Sequence, residues 1–294
     1  MGSMVCTTDN MDLTRELLDA YVAAGGNCID TAHVYGGGKS ERAVGLWMQD
    51  CGNREKILLL DKGAHPYWTE PRVDPENIGK DISESLERLQ TSWIDLYLLH
   101  RDNPDVPVGP IVECLNAHKE AGRIRAFGGS NWTTERLEQA NAYAREHGLS
   151  PFAASSPNLS LATVNEPMWG GCVSVSAEDR AWYARSQMPL FSWSSQAGGF
   201  FAGIFSREDL SHNDAVRVYY NEGNWERLRR ARELAEKKGA TSHQIALAWV
   251  LCQPFPVFAL IGPRKVNELG ESLPALEIAL TEEESRWLNL EDRC

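Results

Sequence analysis

The sequence has no apolar run near the roughly 20 residues that a helix needs to cross a bilayer. Its start also lacks a basic stretch followed by an apolar one. Positive charge is scarce: 29 Lys and Arg stand against 41 Asp and Glu, a formal net charge of −12. That balance argues against nucleic acid or an anionic membrane surface as a main partner. The seven cysteines (Cys6, Cys28, Cys51, Cys114, Cys172, Cys252 and Cys294) are odd in number and scattered, without paired metal-ligand spacing. They read as structural thiols of a reduced cytoplasmic protein with no metal site. A phosphate-binding P-loop is missing as well. Gly38-Lys39-Ser40 imitates the end of one, but His33 stands where the first glycine is needed.

What is present is a long alternation of short apolar runs with helix-period segments. The strand-like runs are a truncated Met1–Val5, then Cys28–Asp30, Ile57–Lys62, Ile94–His100, Ile124–Gly129, Phe152–Ser155, Pro189–Trp193 and Val257–Ile261. Helical patterns lie between them. Ser40–Met48 has Ser40 as its N-cap, a helix from Asp74 to Leu89 has Pro75 at its first position, and Thr133–Glu146 has a Thr cap. A segment wandering to about Asn224 carries no assigned element, and Trp225–Lys238 and Ser242–Leu251 follow. Mostly apolar strands, each followed by a helix, imply parallel pairing with helical crossovers. The expectation is an α/β protein, a (β/α)8 TIM barrel forming one domain over residues 1–294, with an open doubly wound sheet as the competitor.

In such a barrel, catalytic groups project from the C-terminal strand ends. Those ends carry Asp30, Lys62 and His100 in succession, with Tyr35 five residues after Asp30 in the glycine turn Gly36–Gly38. Together they form a proton-transfer kit. Tyrosine is a weak acid, with an unperturbed pKa of about 10. A neighbouring ammonium favours its phenolate and pulls the pKa toward neutrality, while a buried aspartate keeps that lysine charged. The phenol can protonate a carbonyl oxygen as hydride reaches the carbon, and a neutral histidine can orient the same oxygen.

The stretch from Gly25 to Gly36, continued by Ser40-Glu41 and Val44-Gly45, resembles the aldo/keto reductases, NADPH-dependent carbonyl reductases on a (β/α)8 barrel. The lysine closing the third run, Asp95–His100 and Gly122–Asn131 extend the resemblance over nearly the whole chain. It implies a catalytic tetrad of Asp30, Tyr35, Lys62 and His100. It also implies that Ser130, Asn131 and Ser156 hold the nicotinamide carboxamide and that Trp193 packs on the nicotinamide face. Gly262, Arg264, Glu268 and Ser272 match the adenosine-phosphate clamp, where Glu268 replaces the usual glutamine. Arg264 suits a 2′-phosphate. NADPH is the implied cofactor, with NADH use open. The family's N-terminal hairpin is lacking, and Gly2-Ser3 is read as a shortened first strand that contacts cofactor. An uncapped barrel bottom implies lower stability or cover from a partner subunit.

The pocket is expected to be walled by His33, Trp68, Arg101, Trp132 and Trp169, with His65, Asp102 and Asn103 nearby. Aromatic walls with polar tips suit a small-molecule carbonyl compound carrying hydroxyls or a ring. The expected function is NADPH-dependent reduction of an aldehyde or ketone. The alternative is a nucleotide-binding regulatory barrel subunit with little activity.

Overall fold

The structure is a computed structural model and describes residues 1–68 and 70–291. Cys294 lies outside the described residues, whereas Cys6, Cys28, Cys51, Cys114, Cys172 and Cys252 are free thiols. By proximity the chain gathers into two compact units, Met1–Ser156 with Gly262–Val266 and Pro157–Ile261 with Asn267–Cys294.

In chain order the regular elements are α1 (Met11–Ala23), β1 (Cys28–Asp30), α2 (Lys39–Cys51), β2 (Leu58–Gly63), α3 (Pro75–Leu89), β3 (Ile94–Leu99), α4 (Val108–Glu120), β4 (Ile124–Ser130), α5 (Thr134–Glu146) and β5 (Ala154–Ser156). There follow α6 (Ala177–Ser186), β6 (Leu190–Ser192), α7 (Asn213–Tyr219), α8 (Glu222–Lys238), α9 (Ser242–Leu251), β7 (Val257–Ala259), α10 (Val266–Ser272) and α11 (Glu282–Leu288). In the first unit β1 to β5 pair in sequence order, all parallel. In the second unit β6 pairs parallel with β7. No helix among the described residues is long and apolar enough to cross a membrane.

The pattern explains the packing. α3 buries Ile78, Ile82, Ser85 and Leu89, one stripe at helical spacing. It starts where expected, with the Asp74 side chain accepting from Asn77 N–H and Pro75 at the first position. α5 likewise uses Thr133 as its cap. β2 buries Leu59 and Leu60 on both faces, as a parallel strand under helices must.

Three expectations need correction. The first strand, read as Met1–Val5, is a single parallel bridge from Gly2 to Asp30, with Ser3 N–H donating to the Asp30 carbonyl. α2 is capped by Gly38 at φ 87°, not by Ser40, whose hydroxyl donates instead to the Ser3 carbonyl. The wandering segment contains α7, a seven-residue helix that buries only Val218 and Tyr219.

The last residue of β2, Gly63, is glycine for a steric reason. A Cβ added there would lie 1.9 Å from the Tyr97 hydroxyl, which leans across from β3. Gly63→Ala is therefore expected to destabilise the fold by about 1–3 kcal/mol through overpacking. Tyr97→Phe in the same chain should recover part of that loss in denaturant melts, since Asp81 Cβ at 2.9 Å and the ring's Cζ at 3.0 Å still crowd the new methyl. Equal stability of Gly63→Ala and the parent would refute the contact.

Candidate active site

Three elements of the first unit deliver the expected tetrad. β1 ends in Asp30, β2 carries Lys62 one residue before its end, and His100 directly follows β3. The register pairs Asp30 with Leu60, so Lys62 lies one side-chain repeat further along β2 and on the same face. Its ammonium forms a buried ion pair with Asp30. It also donates to the Thr31 carbonyl at 2.8 Å and reaches the Tyr35 hydroxyl at 3.5 Å. Tyr35 stands in a tight turn in which Gly36, Gly37 and Gly38 have φ of 58°, 64° and 87°, values that favour glycine. Its ring meets that of His100 edge-on at 5.9 Å, and His65 meets His100 at 4.9 Å.

Burial sets the proton states. Desolvation tends to lower the Lys62 pKa, but Asp30 and Tyr35 outweigh it and hold the ammonium above its ordinary value. Desolvation raises the Tyr35 phenol, with Lys62 opposing. The expected pull toward neutrality is thus present but outweighed, and the phenol keeps its proton. Burial, then Lys62 and Arg101, push His100 well below the usual histidine range, so its imidazole is neutral. Its Nδ1 is buried without a hydrogen-bond partner among the described residues.

Beside the tetrad lies a shelf at the ends of β4 and β5. The Ser130 hydroxyl donates to the Ser156 carbonyl at 2.8 Å. The Asn131 Nδ2 donates to the His100 carbonyl and to Ser130 Oγ, both at 3.1 Å, and its backbone is left-handed at φ 59°. Ser3 is buried in this unit, its Oγ 2.9 Å from that of Ser40. Gly262 has nothing within 4 Å of a notional Cβ, and Arg264 and Lys265 are exposed in the same short loop.

The second unit holds the other expected cofactor positions. Trp193 is half-buried, follows β6, and lies 6.0 Å from Trp169, ring to ring. Ser272 donates to the Glu268 carbonyl at 2.8 Å and accepts from Gln196 Nε2 at 3.0 Å.

The family model for the aldo/keto reductases, "Aldo/keto reductase family", matches residues 1–289. The chain belongs to that family. It is 30% identical over 286 residues to a norsolorinic acid reductase of Aspergillus flavus, covering 93% of this chain and 70% of that protein. An aryl-alcohol dehydrogenase [NADP(+)] of Phanerodontia chrysosporium is 27% identical, over 98% of this chain and 77% of its own length. A crystal structure of an aldo-keto reductase from Klebsiella pneumoniae in complex with NADPH superposes with a TM-score of 0.73. It covers 99% of this chain and 89% of that one at 24% identity. That likeness shows the fold, the (β/α)8 barrel of this family, and the chain is an oxidoreductase by its membership.

The expected pocket walls sort differently. In this aldo/keto reductase Trp68 is fully exposed and Trp169 about half exposed. Trp132 is buried in the core, its Nε1 donating to the Arg101 carbonyl and its ring against Phe152. Buried Arg101 donates to the His100 carbonyl at 2.8 Å. His33 turns toward α3, where its Nε2 is 2.8 Å from Glu84 and 3.7 Å from Asp81, so it holds the helix rather than lining a pocket. Sequence reasoning missed the Thr31 carbonyl as a partner of Lys62, and Gln196 as a partner of Ser272. The first follows from position, since Thr31 adjoins Asp30; the second had no local signal.

The displaced His100 titration has a stability consequence. Below about pH 6.5 an unfolded histidine takes up a proton that the buried one refuses. Stability then falls with pH by up to about 1.4 kcal/mol per unit from this group. His100→Asn should therefore show a smaller drop in Tm between pH 7 and pH 5 than the parent. Parallel Tm curves would contradict a depressed His100.

Proposed function

We propose that this chain reduces an aldehyde or ketone to the alcohol with NADPH, Tyr35 donating the proton, and that residues 1–294 work as one domain in the cytoplasm. The observation that carries this reading is a buried ammonium, Lys62, shared between a carboxylate and a phenol at the strand ends. The residues present suit the cofactor chemically. An open glycine beside exposed Arg264 and Lys265 fits a phosphate-bearing end. Ser130, Asn131 and Ser156 would hold the nicotinamide end, with Gly2 and Ser3 beside Asp30. The NADPH held by the Klebsiella protein and the NADP(+) in the Phanerodontia enzyme's name support this choice.

The chemistry that bound NADPH would supply is the hydride for the carbonyl carbon, leaving NADP+. The Tyr35 phenol gives its proton to the carbonyl oxygen as negative charge develops there. The Lys62 ammonium steadies the phenolate that remains, and Asp30 keeps that ammonium charged in a desolvated place. Neutral His100 can donate one hydrogen bond to the same oxygen, orienting the carbonyl. The substrate class we infer is a carbonyl compound bearing a ring or hydroxyls, in keeping with the aromatic alcohol in the Phanerodontia enzyme's name.

Tyr35→Phe is expected to lower kcat by about 100-fold or more, the usual worth of a positioned general acid. NADPH quenching of tryptophan fluorescence should give a nearly unchanged Kd. Substantial turnover by the variant would remove Tyr35 as the donor. On a panel of carbonyl compounds, hydroxylated or ring-bearing substrates should show higher kcat/KM than short unsubstituted aldehydes, and equal values across the panel would sink the substrate assignment.

A further inference from the structure

We propose that Arg88 and Glu84, both on α3, are positioning residues for Tyr35, clamping from outside the loop that carries it. The inference rests on the reading of Tyr35 as proton donor. The loop needs such a clamp, because Tyr35 is followed by three consecutive glycines with positive φ, the residues with most backbone freedom to lose. The turn's own ties are backbone bonds, from Tyr35 N–H to the Ala32 carbonyl at 2.9 Å and from Gly37 N–H to the Val34 carbonyl at 3.1 Å, and they leave its position against the neighbouring elements to be set from outside.

Arg88 supplies the missing rigidity on both sides of the turn. Its Nη1 donates to the His33 carbonyl at 3.2 Å, two residues before Tyr35. The same nitrogen donates to Glu41 at 2.8 Å, in the first turn of α2 just after the glycines. Between these anchors, a Cβ on Gly38 would lie 2.7–2.9 Å from three guanidinium atoms, so the Gly38 backbone lies directly on the Arg88 group. Glu84 completes the clamp by accepting from Arg88 Nη2 at 2.9 Å and contacting His33 Nε2 at 2.8 Å with the same oxygen. The His33 N–H in turn donates to the Lys62 carbonyl at 2.8 Å. Loop, lysine strand and helix are therefore tied at one point. None of these groups lies among the tetrad side chains, so their effect on reduction is through the position of the phenol. Misplacing a reacting group by 1 Å can cost about 100-fold in rate.

The experiment uses the full-length chain with 3-fluorotyrosine at position 35, in the parent and in Glu84→Ala, Glu84→Gln and Arg88→Lys. Glu84 is partly exposed, so its variants are expected to fold even if loss of Arg88 strands buried Glu41. With one oxygen lost to both Arg88 and His33, Glu84→Ala should lower kcat about tenfold while KM and NADPH Kd stay within about threefold. Its fluorine line should shift or broaden. Glu84→Gln, which keeps an oxygen toward His33, should recover part of the rate, and Arg88→Lys, where it folds, should behave like Glu84→Ala. Unchanged kcat and an unchanged fluorine line in folded Glu84→Ala would overturn the clamp. So would a fall in kcat matched by equal losses in cofactor affinity and Tm. Because the fluorine line reports the loop without turnover, a failure of Tyr35 as donor would show separately, as activity retained by Tyr35→Phe.

Discussion

The buried ion pair between Asp30 and Lys62 is the constraint from which the site is built. A lysine deep among parallel strands is tolerable only if its charge is matched, because desolvation alone would strip it of its proton. Asp30 provides that match, and the Thr31 carbonyl and the Tyr35 hydroxyl take the remaining ammonium donors. The pairing of Asp30 with Leu60 sets which β2 residue arrives there. A slip of one residue would send Lys62 to the helix side and bring Asp61 or Gly63 to the mouth. Strand register and proton chemistry are thus a single fact seen at two scales.

The far face of β2 shows what that constraint excludes. Asp61 points away from Lys62 toward the helix layer, paired across the ladder with Tyr97. It is fully buried, with the Ser85 hydroxyl beside its carboxyl group. Burial, then the nearby Glu41, push its pKa well above the ordinary carboxylate range, the direction that favours the neutral acid. Arg88 pairs with Glu41 at 2.8 Å. The Arg88 guanidinium thus serves Glu41 and Glu84, and none of its bonds among the described residues reaches Asp61. The same strand carries a retained positive charge on one face and a suppressed negative charge on the other.

The parts of the molecule that could be read from the sequence are those with short-range causes. Alternating apolar runs placed every strand after the first, and local caps placed Asp74 and Thr133 at their helix starts. Asp30, Lys62 and His100 stood out because each closes a strand, and strand ends in this architecture meet at one rim. The misreadings have long-range causes. Ser40 looks like a cap until Ser3 claims its hydroxyl from 37 residues away. His33 looks like a wall of the pocket until Glu84, 51 residues on, turns its ring to α3. Trp132 has the composition of a rim residue, yet its indole N–H finds a carbonyl inside the core and the ring follows it. α7 escaped because a seven-residue helix with two buried side chains has no stripe to recognise.

Burial also resolves an apparent conflict in the proton chemistry. Charge alone would place Lys62 beside a phenolate and so discharge the acid before any carbonyl arrived. Desolvation works against every charged form in the pocket and is outweighed at Lys62, where Asp30 holds the charge, so that it keeps Tyr35 protonated and His100 neutral together. These are the states that a proton donor and an orienting hydrogen-bond donor require. In the proposed mechanism the lysine exerts its effect mainly when the proton leaves, on the phenolate that forms, so that its stabilisation falls on the transition state and not on the resting site.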